Sequence, residues 1–167
     1  AARKRVPIVD GTGSNSTAEA LRLTEHAKEA GADLSLQVNP YYNKPSQEGL
    51  YRHFMTIADE VGLPIVLYNI PGRTGITMTP QTVARLAKHP KIVAIKEATG
   101  SLDIASEIAA TCDIAILSGD DSLTLPLMSI GAKGVISVAT NLIPAEVTKM
   151  VHLASGGKFA EARELHL

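Results

Sequence analysis

A single cysteine, Cys112, leaves the chain no partner for an internal disulfide and fits a reducing compartment, so we expect a cytoplasmic protein. It follows a helical segment and reads as packing rather than as a nucleophile. Basic runs are also missing: 16 Lys and Arg against 17 Asp and Glu leave a net charge of −1, which argues against nucleic acid as a partner. No apolar stretch approaches the roughly 18 residues of a membrane span, and no secretory apolar region is present, so neither insertion nor export is expected. The five histidines, His26, His53, His89, His152 and His166, show no paired ligand spacing and predict no metal. An initiating methionine is lacking too. The chain starts at Ala1 almost directly on a strand and stops at Leu167 inside a helical pattern, and we expect a piece of a longer protein.

What is present is an ordinary globular composition, 45% hydrophobic and 20% charged over 167 residues, with no linker or low-complexity segment. One domain over residues 1–167 is expected. A short apolar run followed by a helix-like segment recurs six times. The runs are Val6–Val9, Leu34–Val38, Pro64–Ile70, Ile92–Glu97, Ile114–Leu117 and Gly134–Val138. The helical segments are Thr17–Ala30, Gln47–Val61, Pro80–Lys88, Leu102–Ala110, Ser122–Ile130 and Pro144–Leu153, with one more near Lys158–Leu167. Continuous rather than alternating apolarity in the strands argues an α/β fold with a parallel sheet covered by helices. Two architectures fit that pattern: an open doubly wound sheet, or part of a (βα)8 barrel.

The first unit bears on that choice. Asp10-Gly-Thr-Gly-Ser-Asn-Ser16 opens a helix after a strand, so Gly11 and Gly13 resemble the start of a dinucleotide fingerprint. The third small position is Ser16, however, and the acidic residue that should close the second strand instead precedes it, as Asp33. Ser16 with Glu19 is better read as a capping box.

Three later loops carry chemistry-bearing residues. Two of the four tyrosines, Tyr41 and Tyr42, sit together just past a strand end in Asn39-Pro-Tyr-Tyr-Asn-Lys-Pro45. Tyr68 lies inside an apolar strand, where a buried hydroxyl needs a partner. Arg73 follows in a glycine-flanked loop, able to fork onto a carboxylate. Asp121 or Ser122 reads as a helix N-cap after the fifth strand.

Lys96 ends the apolar run Val93-Ala-Ile95 just before a glycine-containing turn. One reading is a lysine that reaches water along its stem. The other is an amine neutral enough to attack a carbonyl carbon, since burial disfavours a charged group. A lysine amine, a phenol to move protons and a guanidinium to hold a carboxylate, all at the carboxyl ends of parallel strands, suit imine formation with a 2-oxo acid. Carbon–carbon bond formation or cleavage follows from such an imine.

Placed in this order, the motifs GTGSNSTAEA, NPYYNKPSQEGLY, LYNIPGRTG, AIKEATG, LSGDD and GAKGVISV resemble the dihydrodipicolinate synthase family. That family lies in the class I aldolase superfamily, which includes N-acetylneuraminate lyase. The resemblance runs through essentially the whole chain and implies a parallel (βα)8 TIM barrel. About six βα units, matching units 3 to 8, are present, so residues 1–167 would be a partial barrel catalytic domain.

The same resemblance implies condensation of pyruvate with L-aspartate semialdehyde, in lysine and diaminopimelate synthesis, with no metal or organic cofactor. It makes Lys96 the Schiff-base lysine and Tyr68 the proton-relay tyrosine. Tyr42 becomes a second relay tyrosine, contributed across a dimer interface. Arg73 would bind the aldehyde's carboxylate, and the main chain around Gly119 and Ile136 would line the pocket. Asn15, Glu19 and Tyr41 match positions that contact lysine in feedback-inhibited members. A homo-oligomer, dimer or tetramer, is expected.

The Arg73 loop and the KEATG run favour the synthase over neuraminate lyase. Sugar-acid aldolases of the superfamily are the nearest alternative, followed by a non-catalytic fragment and, more weakly, a dinucleotide-binding module. The chain departs from the family in lacking the first two units, with their Thr-Thr-Gly-Glu motif, and the helical extension after the barrel. For this reason low turnover is expected of these 167 residues alone. Asp10 stands where a small residue is expected.

Overall fold

The computed structural model describes residues 4–167. Six parallel strands form one sheet: β1 (Val9–Gly11), β2 (Leu34–Val38), β3 (Ile65–Asn69), β4 (Ile92–Glu97), β5 (Ala115–Ser118) and β6 (Gly134–Val135). Their spatial order is their chain order, β1-β2-β3-β4-β5-β6. A doubly wound sheet reverses its strand order at a switch point, whereas a barrel adds each strand beside the last. The observed order is that of a partial (βα)8 barrel, with β1 and β6 as its two edges.

The helices are α1 (Thr17–Glu29), α2 (Gln47–Val61), α3 (Pro71–Thr74), α4 (Pro80–Leu86), α5 (Leu102–Thr111), α6 (Thr124–Ser129), α7 (Pro144–Ser155) and α8 (Phe159–His166). The neighbours α1 and α2, α2 and α4, α4 and α5, α5 and α6, and α6 and α7 touch in turn, so they make one outer layer. The reason a given stretch is helical is plainest in α2. Ser46 caps it by accepting from Gly49 N at 3.1 Å, and Gly62 ends it with φ +68°, a conformation that favours glycine. Leu50, Phe54, Ile57, Ala58 and Val61 fall on one face at helical spacing and are all buried. Full burial of Phe54 alone is worth about 2–3 kcal/mol of transfer free energy.

Alternation along the strands divides the sheet into two faces. Ile65, Leu67, Ile95 and Ile116 point toward the helices and are 0–3% exposed. The intervening row Val38, Tyr68, Lys96 and Leu117 is paired in register across β2 to β5 and faces the other way. On that second face Val38, Tyr68 and Leu117 are only half-buried.

Most element ends fall within a residue or two of expectation; the ends of β1 and β6 and one added helical turn are the larger differences. β1 starts at Val9 rather than Val6, because the N–H of Ile8 is taken by the Asp33 carboxylate at 2.7 Å and Pro7 has none to give. β6 ends at Val135 rather than Val138, because the Asp121 carboxylate accepts from Val138 N and Ala139 N and turns the chain aside. The single turn α3 was not expected. It places Arg73 in a helix rather than in a loop. Cys112 ends α5 half-buried against the core, a packing position as expected. No helix among the described residues is long and apolar enough to cross a membrane.

Candidate active site

The carboxyl ends of β3 and β4 bring Tyr68 and Lys96 side by side, and Lys96 Nζ lies 4.2 Å from the centroid of the Tyr68 ring. That distance is a cation–π contact for a charged amine and a close approach for a neutral one. Lys96 is 8% exposed, and among the described residues no carboxylate pairs with its amine.

Gly119 is required beside it. A Cβ there would lie 2.5 Å from the Ala98 Cβ and 3.2 Å from Lys96 Cε. Gly119 N donates to Glu97 O at 2.8 Å, which sets the loop after β5 against the end of β4. Ile136 N donates to Ser118 O at 3.0 Å and extends the β5–β6 pairing by one bond toward the same end. Gly119 and Ile136 thus both border the strand ends that carry Lys96.

Asp121 is not the cap of the helix that follows it. Asp120 occupies that position without a side-chain bond, and Asp121 reaches across to the segment after β6. Its carboxylate accepts from the Ser137 hydroxyl, from Val138 N at 3.1 Å and from Ala139 N at 3.0 Å. Desolvation pushes its pKa up, but those three bonds and the charge of Lys96 outweigh it and hold the carboxyl below its ordinary value. The expected capping box is also only half made. Ser16 Oγ accepts from Glu19 N at 3.4 Å, while the Glu19 carboxylate bonds to Ser14 Oγ at 2.5 Å instead of returning to Ser16 N.

Tyr41 and Tyr42 lie on the loop after β2, which Asn15 and Asn43 tie down. Asn15 Nδ2 donates to Tyr41 O at 3.1 Å, and Asn43 Nδ2 donates to Asn15 O at 2.9 Å. Tyr42 has φ +71° and is 90% exposed, so its ring stands out from this chain rather than folding toward Lys96. Arg73 is exposed, and among the described residues no acid pairs with its guanidinium. Asn15 and Tyr41 are thus in contact, and Glu19 lies one turn along the helix that Asn15 precedes. Lys96, Tyr68, Gly119 and Ile136 gather at one end of the sheet, while Tyr42 and Arg73 project from its rim.

The residues that were not expected are Asn69 and Glu97. Both are buried, at 0% and 2% exposure, and both follow immediately on Tyr68 and Lys96. Burial raises the Glu97 pKa above the usual carboxylate range, against hydrogen bonds from Thr99 and Asn69. Polar residues closing two adjacent apolar strands were the available signal. No group of acids, histidines and cysteine able to hold a metal occurs among the described residues.

The class defined by this fold and site is a parallel-barrel protein with a buried strand-end lysine set against a tyrosine. The profile described as "Dihydrodipicolinate synthetase family" matches residues 1–167. The chain belongs to that family. It is 61% identical over 166 residues to the 4-hydroxy-tetrahydrodipicolinate synthase of Geotalea daltonii, covering 98% of this chain and 57% of that protein. Among solved structures, the dihydrodipicolinate synthase from Aquifex aeolicus superposes with a TM-score of 0.97 at 52% identity, over 99% of this chain and 57% of that one. The chloride-inhibited enzyme from Acinetobacter baumannii, complexed with pyruvate, superposes at 0.96 with 46% identity, over 99% and 57%. The chain therefore spans little more than half the length of these relatives.

Proposed function

We propose that this chain carries the reactive centre of a class I lyase that joins pyruvate to L-aspartate semialdehyde, giving 4-hydroxy-tetrahydrodipicolinate. The observation that carries the reading is Lys96, buried, paired with no acid among the described residues and lying over the Tyr68 ring. In this reading the neutral Lys96 amine adds to the ketone carbon of pyruvate, and loss of water leaves an iminium. The iminium gives up a proton from the pyruvate methyl group to form an enamine. That carbon then attacks the aldehyde carbon, and the new alkoxide takes up a proton. The product's own amine next displaces Lys96, which is regenerated as the ring closes. Tyr68 is the group placed to carry protons in the first and last stages.

Arg73, exposed on the rim and without an acid partner among the described residues, is available to hold the aldehyde's carboxylate in a bidentate grip. The main chain at Gly119 and Ile136 lines the pocket in this reading. Asn15, Glu19 and Tyr41 are proposed as a lysine-binding group. The pyruvate complex of the Acinetobacter baumannii relative, which is 46% identical, supports the choice of 2-oxo acid. No cofactor enters these steps.

Borohydride trapping tests the reading. The chain is incubated with pyruvate and reduced, and the adduct is located by peptide mass spectrometry. A covalent adduct at Lys96 is expected; adducts scattered over surface lysines would sink the assignment.

The outward Tyr42 ring favours a homo-oligomer in which it completes a neighbouring site. Mixing the inactive variants Lys96→Ala and Tyr42→Phe should then recover activity, because one site of each mixed pair carries neither change. Mixtures no more active than their components would count against the shared site.

A further inference from the structure

Tyr42, Arg73 and Lys96 sit on three separate segments, and the roots of all three meet at one buried amide. Asn69 Oδ1 accepts from Asn39 Nδ2 at 3.1 Å and from Met78 N at 2.9 Å. Asn69 Nδ2 donates to Met78 O at 3.1 Å and to Glu97 Oε2 at 3.2 Å. A carboxamide has two acceptor and two donor positions, so this side chain is saturated.

The four bonds end at the roots of three different segments. Asn39 opens the loop of Tyr41 and Tyr42. Met78, held at both its N–H and its C=O, closes the segment from Ile70 that carries Arg73. Glu97 follows Lys96, and its second carboxylate oxygen accepts from Thr99 N at 2.7 Å, which fixes the turn after β4. In register, Tyr68 pairs with Lys96 and Asn69 with Glu97, so the bonded row lies directly behind the reacting row. Ile65, Leu67, Ile95 and Ile116 make the neighbouring part of this helix-covered face apolar, and the buried Ser35 and Gln37 lie further back on β2. An amide and a carboxyl group there cost desolvation that packing does not require.

We propose that Asn69, anchored by Glu97, is the positioning residue of this site, holding the Tyr42, Arg73 and Lys96 segments in one mutual register. Its catalytic consequence rests on the pyruvate-imine reading; its structural content does not.

The variant Asn69→Asp sets a second carboxyl group against Glu97 and removes both donated bonds. The double variant Asn69→Asp/Glu97→Gln restores a donor and an acceptor across that contact. Hydrogen exchange of the whole chain, read by mass spectrometry, reports on segments 39–45, 70–78 and 97–100. In Asn69→Asp all three are expected to exchange about tenfold faster while segment 50–58 is unchanged, and the double variant should recover most of that. Loosening confined to one segment, or no recovery in the double variant, would overturn the proposal.

Should Asn69→Asp fail to fold, Glu97→Gln keeps the acceptor for Thr99 N and is read in the same segments. Faster exchange in 39–45 and 70–78 supports the hub, and a response limited to 97–100 rejects it. In trapping assays the limiting rate should fall about tenfold in Asn69→Asp, with the half-saturating pyruvate concentration held within about threefold, a split that general loosening would not give. A wild-type chain that traps no pyruvate would remove the catalytic reading. The exchange pattern alone would then uphold or reject Asn69 as the hub.

Discussion

Thr12, Thr24, Ser35 and Gln37 bond to one another beneath α1, while Asn39, Asn69 and Glu97 bond to one another further along the strands. All seven are at most 3% exposed. The first cluster is uncharged and its bonds run mainly side chain to side chain, joining β1 and β2 to α1. Its fit is imperfect. Gln37 Nε2 lies 2.7–2.8 Å from three hydroxyls with only two hydrogens to give, and Gln37 Oε1 has no partner among the described residues. The second cluster also has an unpartnered oxygen among the described residues, Asn39 Oδ1, but it includes a carboxyl group, saturates its central amide, and sends bonds to the main chain of Met78 and Thr99. A polar group in mid-strand can bond only to strand and helix. One at a strand's carboxyl end can hold a loop, and on this fold that end is where loops carry chemistry.

The largest expected effect sets the reference for both clusters. Lys96→Ala should abolish pyruvate trapping entirely while leaving the unfolding midpoint nearly unchanged, since it removes an amine that makes no ion pair among the described residues. Urea unfolding and trapping on the same preparation check both halves.

Next, Asn69→Ala should cost about 2–4 kcal/mol, because Met78 N, Met78 O and Glu97 are left buried without that partner. Denaturant titration would expose the claim as wrong if the loss were under about 1 kcal/mol.

His53 adds a third buried polar group, between the helices. Its Nδ1 meets Thr17 Oγ1 at 2.9 Å, Nε2 has no partner among the described residues, and burial pushes the imidazole down to about 4. The unfolded chain, with an ordinary histidine pKa near 6.5, takes up the proton first. Stability from this group is therefore complete above about pH 6.5 and is lost as pH falls toward 4, by roughly 3 kcal/mol in all. Glu97 acts with the opposite sign. Its raised folded pKa makes its own contribution improve as pH falls through that value. On going from pH 7 to 4.5 the unfolding free energy of His53→Gln should fall less than that of the wild type, or rise, and an identical change in both would remove the assignment.

The smallest effect sharpens the contrast. Gln37→Met should shift stability by less than about 1 kcal/mol, since two bonds are lost but an unpartnered carbonyl is also removed. Trapping at Lys96 should not change. A large fall in trapping would dissolve the distinction between the two clusters.

Much of the architecture was legible in the residues. The expected strands Leu34–Val38 and Ile92–Glu97 and the helix Gln47–Val61 match the structure to the residue, because the strands are short, largely apolar runs and the helix has a periodic apolar face between Ser46 and Gly62. The ends of β1 and β6 were not legible, since Asp33 and Asp121, both distant in sequence, divert the N–H groups that would have continued the ladders. Half of the capping box failed for a similar reason: Ser14 competes for the Glu19 carboxylate. For Asp10, exposed on β1, the structure offers no explanation.

By itself, then, the sequence determined the alternation of strand and helix, the family, and the cast of Lys96, Tyr68, Tyr42 and Arg73, because each depends on local pattern and residue type. Which architecture that alternation builds was decided by the strand order, which depends on pairings between residues some 25 to 30 positions apart. Tertiary structure alone set Lys96 over the Tyr68 ring, turned the Tyr42 ring outward, and gathered Asn39, Met78 and Glu97 around the Asn69 amide. Hydrogen bonds reach only about 3 Å, so which polar groups meet is settled only once the sheet has set its register.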